Sequence, residues 1–191
     1  MRSICVFCGS KYGDQPEFRA AAIATGQLIA KNKIELVYGG GHVGLMGALA
    51  DAALGASGKV IGVMPEDLVA KEIAHKGLTE LKVVKSMHER KATMSQLSEG
   101  FIALPGGYGT VEEFCEVLTW SMLGIHKKPC GLLNINGYFD DLLKFFDTAS
   151  KREFISADHR ALILVSNSID NLLEQMKSFK HMAPERYYER I

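Results

Sequence analysis

The sequence predicts an α/β fold: a doubly wound parallel sheet of about seven strands with helices on both faces, formed as a single domain. Three observations lead to it. Short apolar runs ending in glycine alternate with longer stretches of helical periodicity over the 191-residue chain. Several of those runs are apolar throughout, as strands covered on both faces must be. No linker, internal repeat or low-complexity segment interrupts the alternation.

In chain order, Ser3–Cys8 opens the sheet with the unbroken run Ile-Cys-Val-Phe-Cys, and the helical period of Glu17–Lys31 carries the chain back. Glu35–Tyr38 is the second strand, followed by the helix Gly44–Leu54. Lys59–Met64 is the third, with weaker helical character over Glu66–Ala70. Leu81–Val84 and Phe101–Leu104 are strands on either side of the helix His88–Leu97. The helix Val111–Leu123 is apolar over more than one stripe (Val111, Phe114, Val117, Leu118, Trp120, Met122), which predicts burial against more than its own sheet. Cys130–Leu133, the helix Phe139–Arg152, the strand Ala161–Val165 and the helix Ile169–Lys177 complete the set. The domain is expected over residues 1–177, with residues 178–191 as a polar tail.

Composition excludes several classes of function. The 22 Lys+Arg balance 22 Asp+Glu and 47% of residues are apolar, so a full core is available and disorder is excluded. Zero net charge without a run of like charges offers no footprint for nucleic acid or an acidic membrane. The first apolar stretch is too short for a signal peptide, and no run nears the roughly 18 apolar residues of a membrane span, so a cytoplasmic protein is expected. Cys5 and Cys8 form a C-x-x-C, but residues three apart on a strand point to opposite faces, and the six histidines are scattered. Buried thiols are expected there, with no metal and no cofactor.

Chemistry is sought at the carboxyl ends of the strands, where ligands bind in an open parallel sheet. Three junctions there are glycine-rich: Cys8-Gly9-Ser10, Gly39-Gly40-Gly41 with Gly44 and Gly47, and Pro105-Gly106-Gly107-Tyr108-Gly109-Thr110. Gly39, Gly41 and Gly44 formally match the dinucleotide fingerprint G-x-G-x-x-G, though after the second strand and with Glu66 the only acid placed for a ribose. They serve either tight turning and helix packing or close approach to a ligand. The third junction runs from an apolar strand through P-G-G-Y-G-T-V-E-E into a helix. Exposed backbone N–H groups at a helix start form an anion site suited to a monophosphate, with the Thr110 hydroxyl as an added donor. Thr110 and Glu113 also fit a capping box, whereas Glu112, Glu113 and Glu116 crowd three carboxylates beside the anion site, which favours Glu113 facing sugar hydroxyls or water. Arg90 and Lys91 open a helix, where the dipole disfavours cations. They are either a solvated face or a bidentate anion contact by Arg90.

Together these segments resemble the Lonely guy family of cytokinin-activating phosphoribohydrolases, whose members have often been labelled lysine decarboxylases. The resemblance runs through V-F-C-G-S (Val6–Ser10), V-Y-G-G-G-H-V-G-L-M-G (Val37–Gly47), G-V-M-P (Gly62–Pro65), M-H-E-R-K-A (Met87–Ala92) and L-P-G-G-Y-G-T-V-E-E (Leu104–Glu113). It implies a Rossmann-like, nucleotide-binding homodimer that hydrolyses the N-glycosidic bond of N6-modified AMP, and of AMP itself, to free base and ribose 5-phosphate. The matching positions imply catalytic roles for Arg90 and Glu113. They imply substrate binding by Glu72, Arg90, Lys91 and the loop Gly106, Gly107, Tyr108, Gly109, Thr110, Val111, Glu112 and Glu113. Ser10, Gly40, Gly41 and Met87 are further candidate contacts. Glu72 is carried over by its spacing before Arg90, and a solvent-exposed glutamate accounts for it equally well. Two other classes share these glycine loops: a carrier of a phosphorylated cofactor such as molybdenum cofactor, and an NAD-dependent oxidoreductase. A pyridoxal phosphate decarboxylase needs a Schiff-base lysine, and nothing in the sequence identifies one.

Overall fold

The computed structural model describes residues 1–71 and 73–181. The candidate Glu72 and the tail from residue 182 lie outside the described residues. Among the described residues seven parallel strands form one sheet: β1 (Ser3–Phe7), β2 (Glu35–Tyr38), β3 (Val60–Pro65), β4 (Glu80–Val84), β5 (Phe101–Ala103), β6 (Cys130–Leu133) and β7 (Ile163–Ser166). Their order is β4-β3-β2-β1-β5-β6-β7, with Cys5 of β1 opposite Val37 on one side and Phe101 on the other. β1 is buried along its whole length because both of its neighbours and both of its faces are covered.

The helices are α1 (Pro16–Lys31), α2 (Gly44–Gly55), α3 (Glu66–Val69), α4 (Met87–Leu97), α5 (Tyr108–Met122), α6 (Asp140–Lys151), α7 (Ala157–Arg160) and α8 (Ile169–Ser178). Phe18 and Ile29 of α1, Leu45 and Leu49 of α2, and Leu172 of α8 pack into the core on one face of the sheet. Met94 of α4 and Phe114 and Val117 of α5 fill the other, with Leu142 and Phe146 of α6 packed against them. Cys5 belongs to the second core and Cys8 to the first, so the C-x-x-C is split across the sheet, and burial pushes both thiols up. Among the described residues no helix is long and apolar enough to cross a membrane.

The strand order reverses between β1 and β5. β1 feeds α1 on one face and β5 feeds α5 on the other, so the chain parts there and leaves a crevice at the carboxyl edge. Two expectations change. α5 begins at Tyr108 rather than Val111, because the end of the glycine loop is already helical. Its outer side is also less covered than the apolar pattern implies: Thr110, Phe114, Val117 and Ser121 are buried, while Val111, Leu118, Trp120 and Met122 are only partly so. The short α7, capped by the Ser156 hydroxyl accepting from His159 N–H at 3.1 Å, was beyond a periodicity argument.

Candidate active site

The loop after β5 supplies the site's floor. Gly107 is the residue before the first helical one, in extended conformation, and no side chain caps α5 there. The first-turn N–H groups therefore have neither an intrahelical partner nor a capping side chain. Of the two readings of Thr110 and Glu113, the capping box does not form, because Thr110 lies within the helix and is buried rather than preceding it. Space beside Gly107 and Gly109 is open, with nothing within 4 Å of where a side chain would begin, and Tyr108 is 98% exposed.

Across from this loop stands the start of α4. The Ser86 hydroxyl accepts from Glu89 N–H at 3.1 Å, and Glu89 Oε2 accepts from Lys85 N–H at 2.8 Å. This cap starts α4 at Met87, one residue before the His88 start the sequence predicts. Arg90 then projects over the carboxyl ends of β2 and β3. Its Nε donates to the Val63 carbonyl at 3.0 Å, and its Nη1 donates to Glu113 Oε1 at 3.0 Å. The Arg90 and Glu113 side chains are 11% and 12% exposed. Gly39 makes room for the guanidinium, since a Cβ there would stand 2.1 Å from Arg90 Nη2. Nothing in the sequence pointed to that use of Gly39.

The crowding of carboxylates is resolved by a division of labour between neighbouring helices. Glu113 pairs with Arg90, while Lys91 Nζ meets Glu112 at 2.5 Å and Glu116 at 3.1 Å. The Arg-Lys pair is therefore not a solvated face. Burial raises the Glu113 carboxyl above the ordinary glutamate range, and the Arg90 charge pulls it back only in part. Lys91 moves up, chiefly through its hydrogen bond to Glu112.

The second glycine junction is occupied by protein. Gly44 has φ +58°, and a Cβ on it would lie 2.3 Å from the Ser10 carbonyl carbon, so it seats the β1–α1 loop. Gly41 bridges to Ala74, and the Gly40 carbonyl accepts from His75 N–H at 2.9 Å. Gly40 and Gly41 thus hold the Ile73–His75 segment. A dinucleotide fingerprint needs those glycine surfaces free for a pyrophosphate, which removes the ground for the oxidoreductase reading. Ser10 is exposed at the switch-point crevice, a space of about 380 Å³ between the Gly9–Asp14 segment, Phe18, Leu45, Tyr138 and Pro105–Gly107. Met87 is 45% exposed at the start of α4. Tyr138, whose hydroxyl donates to the Gly106 carbonyl at 2.7 Å, had no signal in the sequence.

The chain is 48% identical over 190 residues to a probable cytokinin riboside 5'-monophosphate phosphoribohydrolase of Oryza sativa subsp. japonica, covering 97% of this chain and 85% of that one. It is 49% identical over 178 residues to a cytokinin riboside 5'-monophosphate phosphoribohydrolase of Rhodococcoides fascians, covering 93% and 90%. Residues 46–176 match the family model described as possible lysine decarboxylase. The chain belongs to the Lonely guy family. Among solved structures, the molybdenum cofactor binding protein of the phototrophic bacterium Rippkaea orientalis superposes with a TM-score of 0.71 at 26% identity, covering 93% of this chain and 97% of that one. The molybdenum cofactor carrier protein of Chlamydomonas reinhardtii, at 23% identity and a TM-score of 0.71 over 93% and 99% of the two chains, shares the fold. The lysine decarboxylase description suits this Lonely guy chain poorly at Lys91, the lysine beside the Arg90–Glu113 pair. A Schiff-base lysine must lose its proton to attack, and Glu112 and Glu116 hold Lys91 the other way.

Proposed function

We propose that the protein hydrolyses the N-glycosidic bond of nucleoside 5'-monophosphates, N6-modified AMP first and AMP second, releasing the free base and ribose 5-phosphate. One observation supports this reading most: a largely buried pair joins Arg90 of α4 to Glu113, in the second turn of the helix whose glycine start opens to solvent. The 5'-phosphate sits against the N–H groups of Gly107 to Thr110, where the helix dipole favours it. One turn further into α5, Glu113 faces the ribose.

Cleavage breaks the bond between C1' and the base nitrogen, and the electron pair leaves with the base. Positive charge then develops on the sugar. A carboxylate beside it stabilises that charge, and the raised basicity of Glu113 suits it to take a proton from the water whose oxygen bonds to C1'. Arg90 keeps Glu113 ionised and fixed, and its cationic head lies where negative charge on the departing base is offset. Lys91 holds Glu112 and Glu116 away from the phosphate by pairing with them. We further propose a homodimer, supported by the partly uncovered apolar side of α5 and by Ile125, 66% exposed, just beyond it.

A carrier reading has one observation in its favour, the likeness to the cofactor binding protein of Rippkaea orientalis. A carrier has no use for a buried carboxylate facing the ligand. Chromatography of products from AMP, N6-isopentenyl-AMP and N6-isopentenyladenosine separates the two. Base and ribose 5-phosphate are expected from both monophosphates, with little from the unphosphorylated riboside. Binding of the monophosphates without release would favour the carrier.

A further inference from the structure

Between β6 and α6 the chain makes a tight 3₁₀ turn, Ile135–Gly137, with Asn136 at φ 50°. Side chains brace it. Asn134 donates to Asp140 Oδ1 at 2.7 Å and accepts from Phe139 N–H at 2.7 Å, while Asn136 donates to Gln15 Oε1 at 2.8 Å. Tyr138 follows, its ring edge-on to Phe18 at 5.4 Å and to Phe139 at 5.0 Å between centroids. From this seat its hydroxyl spans to the Gly106 carbonyl at 2.7 Å. The preceding carbonyl, of Pro105, accepts from Gly9 N–H at 3.0 Å. Gly106 itself is closed in, since a Cβ there would lie 2.1 Å from Thr110 Oγ1 and 2.8 Å from Gly9 N.

Two successive carbonyl oxygens of the loop are therefore already taken. That matters electrostatically, because a free carbonyl dipole turned toward an anion repels it, whereas N–H groups attract it. We propose that Tyr138 is a positioning residue for the phosphate loop: by holding the Gly106 carbonyl it keeps the loop's donors, and not its acceptors, turned to the 5'-phosphate. The inference rests on the phosphate-site reading of that loop given above. Tyr138 is 45% exposed, so water competes for the bond and its removal has a graded effect.

Tyr138→Phe keeps the ring and its two aromatic contacts and removes only the hydroxyl. Calorimetric titration of wild type and variant with inorganic phosphate and with ribose 5-phosphate reads the loop directly, with ribose as the control lacking an anion. Affinity for both anions is expected to fall roughly three- to tenfold, the size of one neutral hydrogen bond. KM for AMP should rise by the same factor with kcat nearly unchanged. Tyr138→Ala should lose the same affinity and, in addition, melting temperature. Equal anion affinity in wild type and Tyr138→Phe would overturn the inference while leaving the phosphate site standing, as would a lower melting temperature without an affinity change. Failure of the wild type to bind either anion would instead overturn the phosphate-site reading, and the inference with it.

Discussion

At the scale of single residues, the proposed chemistry depends on a balance around Glu113. Burial pushes its carboxyl up and Arg90 draws it down, with burial the larger effect. The carboxylate is the working form in the proposed reaction, so protonation switches activity off. The acid limb of kcat/KM is therefore expected above the ordinary glutamate value of about 4.3. Arg90→Gln removes the charge that lowers the Glu113 value, so the residual activity should show that limb moved further up in pH. A limb unmoved by the substitution would contradict the coupling. Gly39→Ala tests the same geometry from a distance. Its methyl would overlap Arg90 Nη2 but meet no backbone, so the chain should fold while the guanidinium shifts. A displacement of this kind costs on the order of 100-fold in kcat, read by steady-state kinetics beside a circular dichroism spectrum like the wild type's. Wild-type kcat in Gly39→Ala would mean that the seat of Arg90 is irrelevant. The sequence showed that Arg90, Lys91 and three glutamates needed explaining, because their placement conflicts with simple helix electrostatics. It did not show who pairs with whom, since the partners lie 23 residues apart for Arg90 and Glu113 and meet only through the packing of two helices.

At the scale of elements, the site is a meeting of two helix starts, and each start has its own device. α4 uses a side-chain cap, the Ser86 hydroxyl accepting from Glu89 N–H, whereas α5 starts at a glycine with no capping side chain, which leaves its first N–H groups open to the ligand proposed above. The two T-x-x-E and S-x-x-E strings look alike in sequence, and only one of them caps. The difference comes from the glycines before Thr110, which let the chain enter the helix at Tyr108 rather than Val111. Ser86→Ala should cost about 1 kcal/mol of stability, or roughly 2–4 °C in melting temperature for a domain of this size. Thermal denaturation measures it, and an unchanged midpoint would mean that the Glu89–Lys85 bond alone holds the start of α4. Strand and helix positions were otherwise legible to within a residue or two, because fully buried parallel strands leave unbroken apolar runs such as Cys130–Leu133. The 3₁₀ turn and Tyr138 were not, because three residues at irregular angles leave no period to detect.

At the scale of the molecule, the sheet reverses its order between β1 and β5 and so gathers the glycine loop, the β1–α1 segment and Tyr138 at one edge. The same parting sends α4 and α5 to one face, where the Arg90–Glu113 pair lies largely buried beside the loop. That the glycine junctions lie at strand ends was readable from the sequence. That the Gly39–Gly44 junction is filled by Arg90, Ser10 and the Ile73–His75 segment was not, because a glycine looks the same whether protein or ligand approaches it. The central claim is that this fold presents one carboxylate, Glu113, to the sugar of a nucleotide held by its phosphate. The most direct test compares Glu113→Gln with wild type in single-turnover base release from N6-isopentenyl-AMP, alongside calorimetric affinity for ribose 5-phosphate. The account predicts a loss of about 100-fold or more in the rate with anion affinity nearly unchanged. A variant that releases base at the wild-type rate would contradict it.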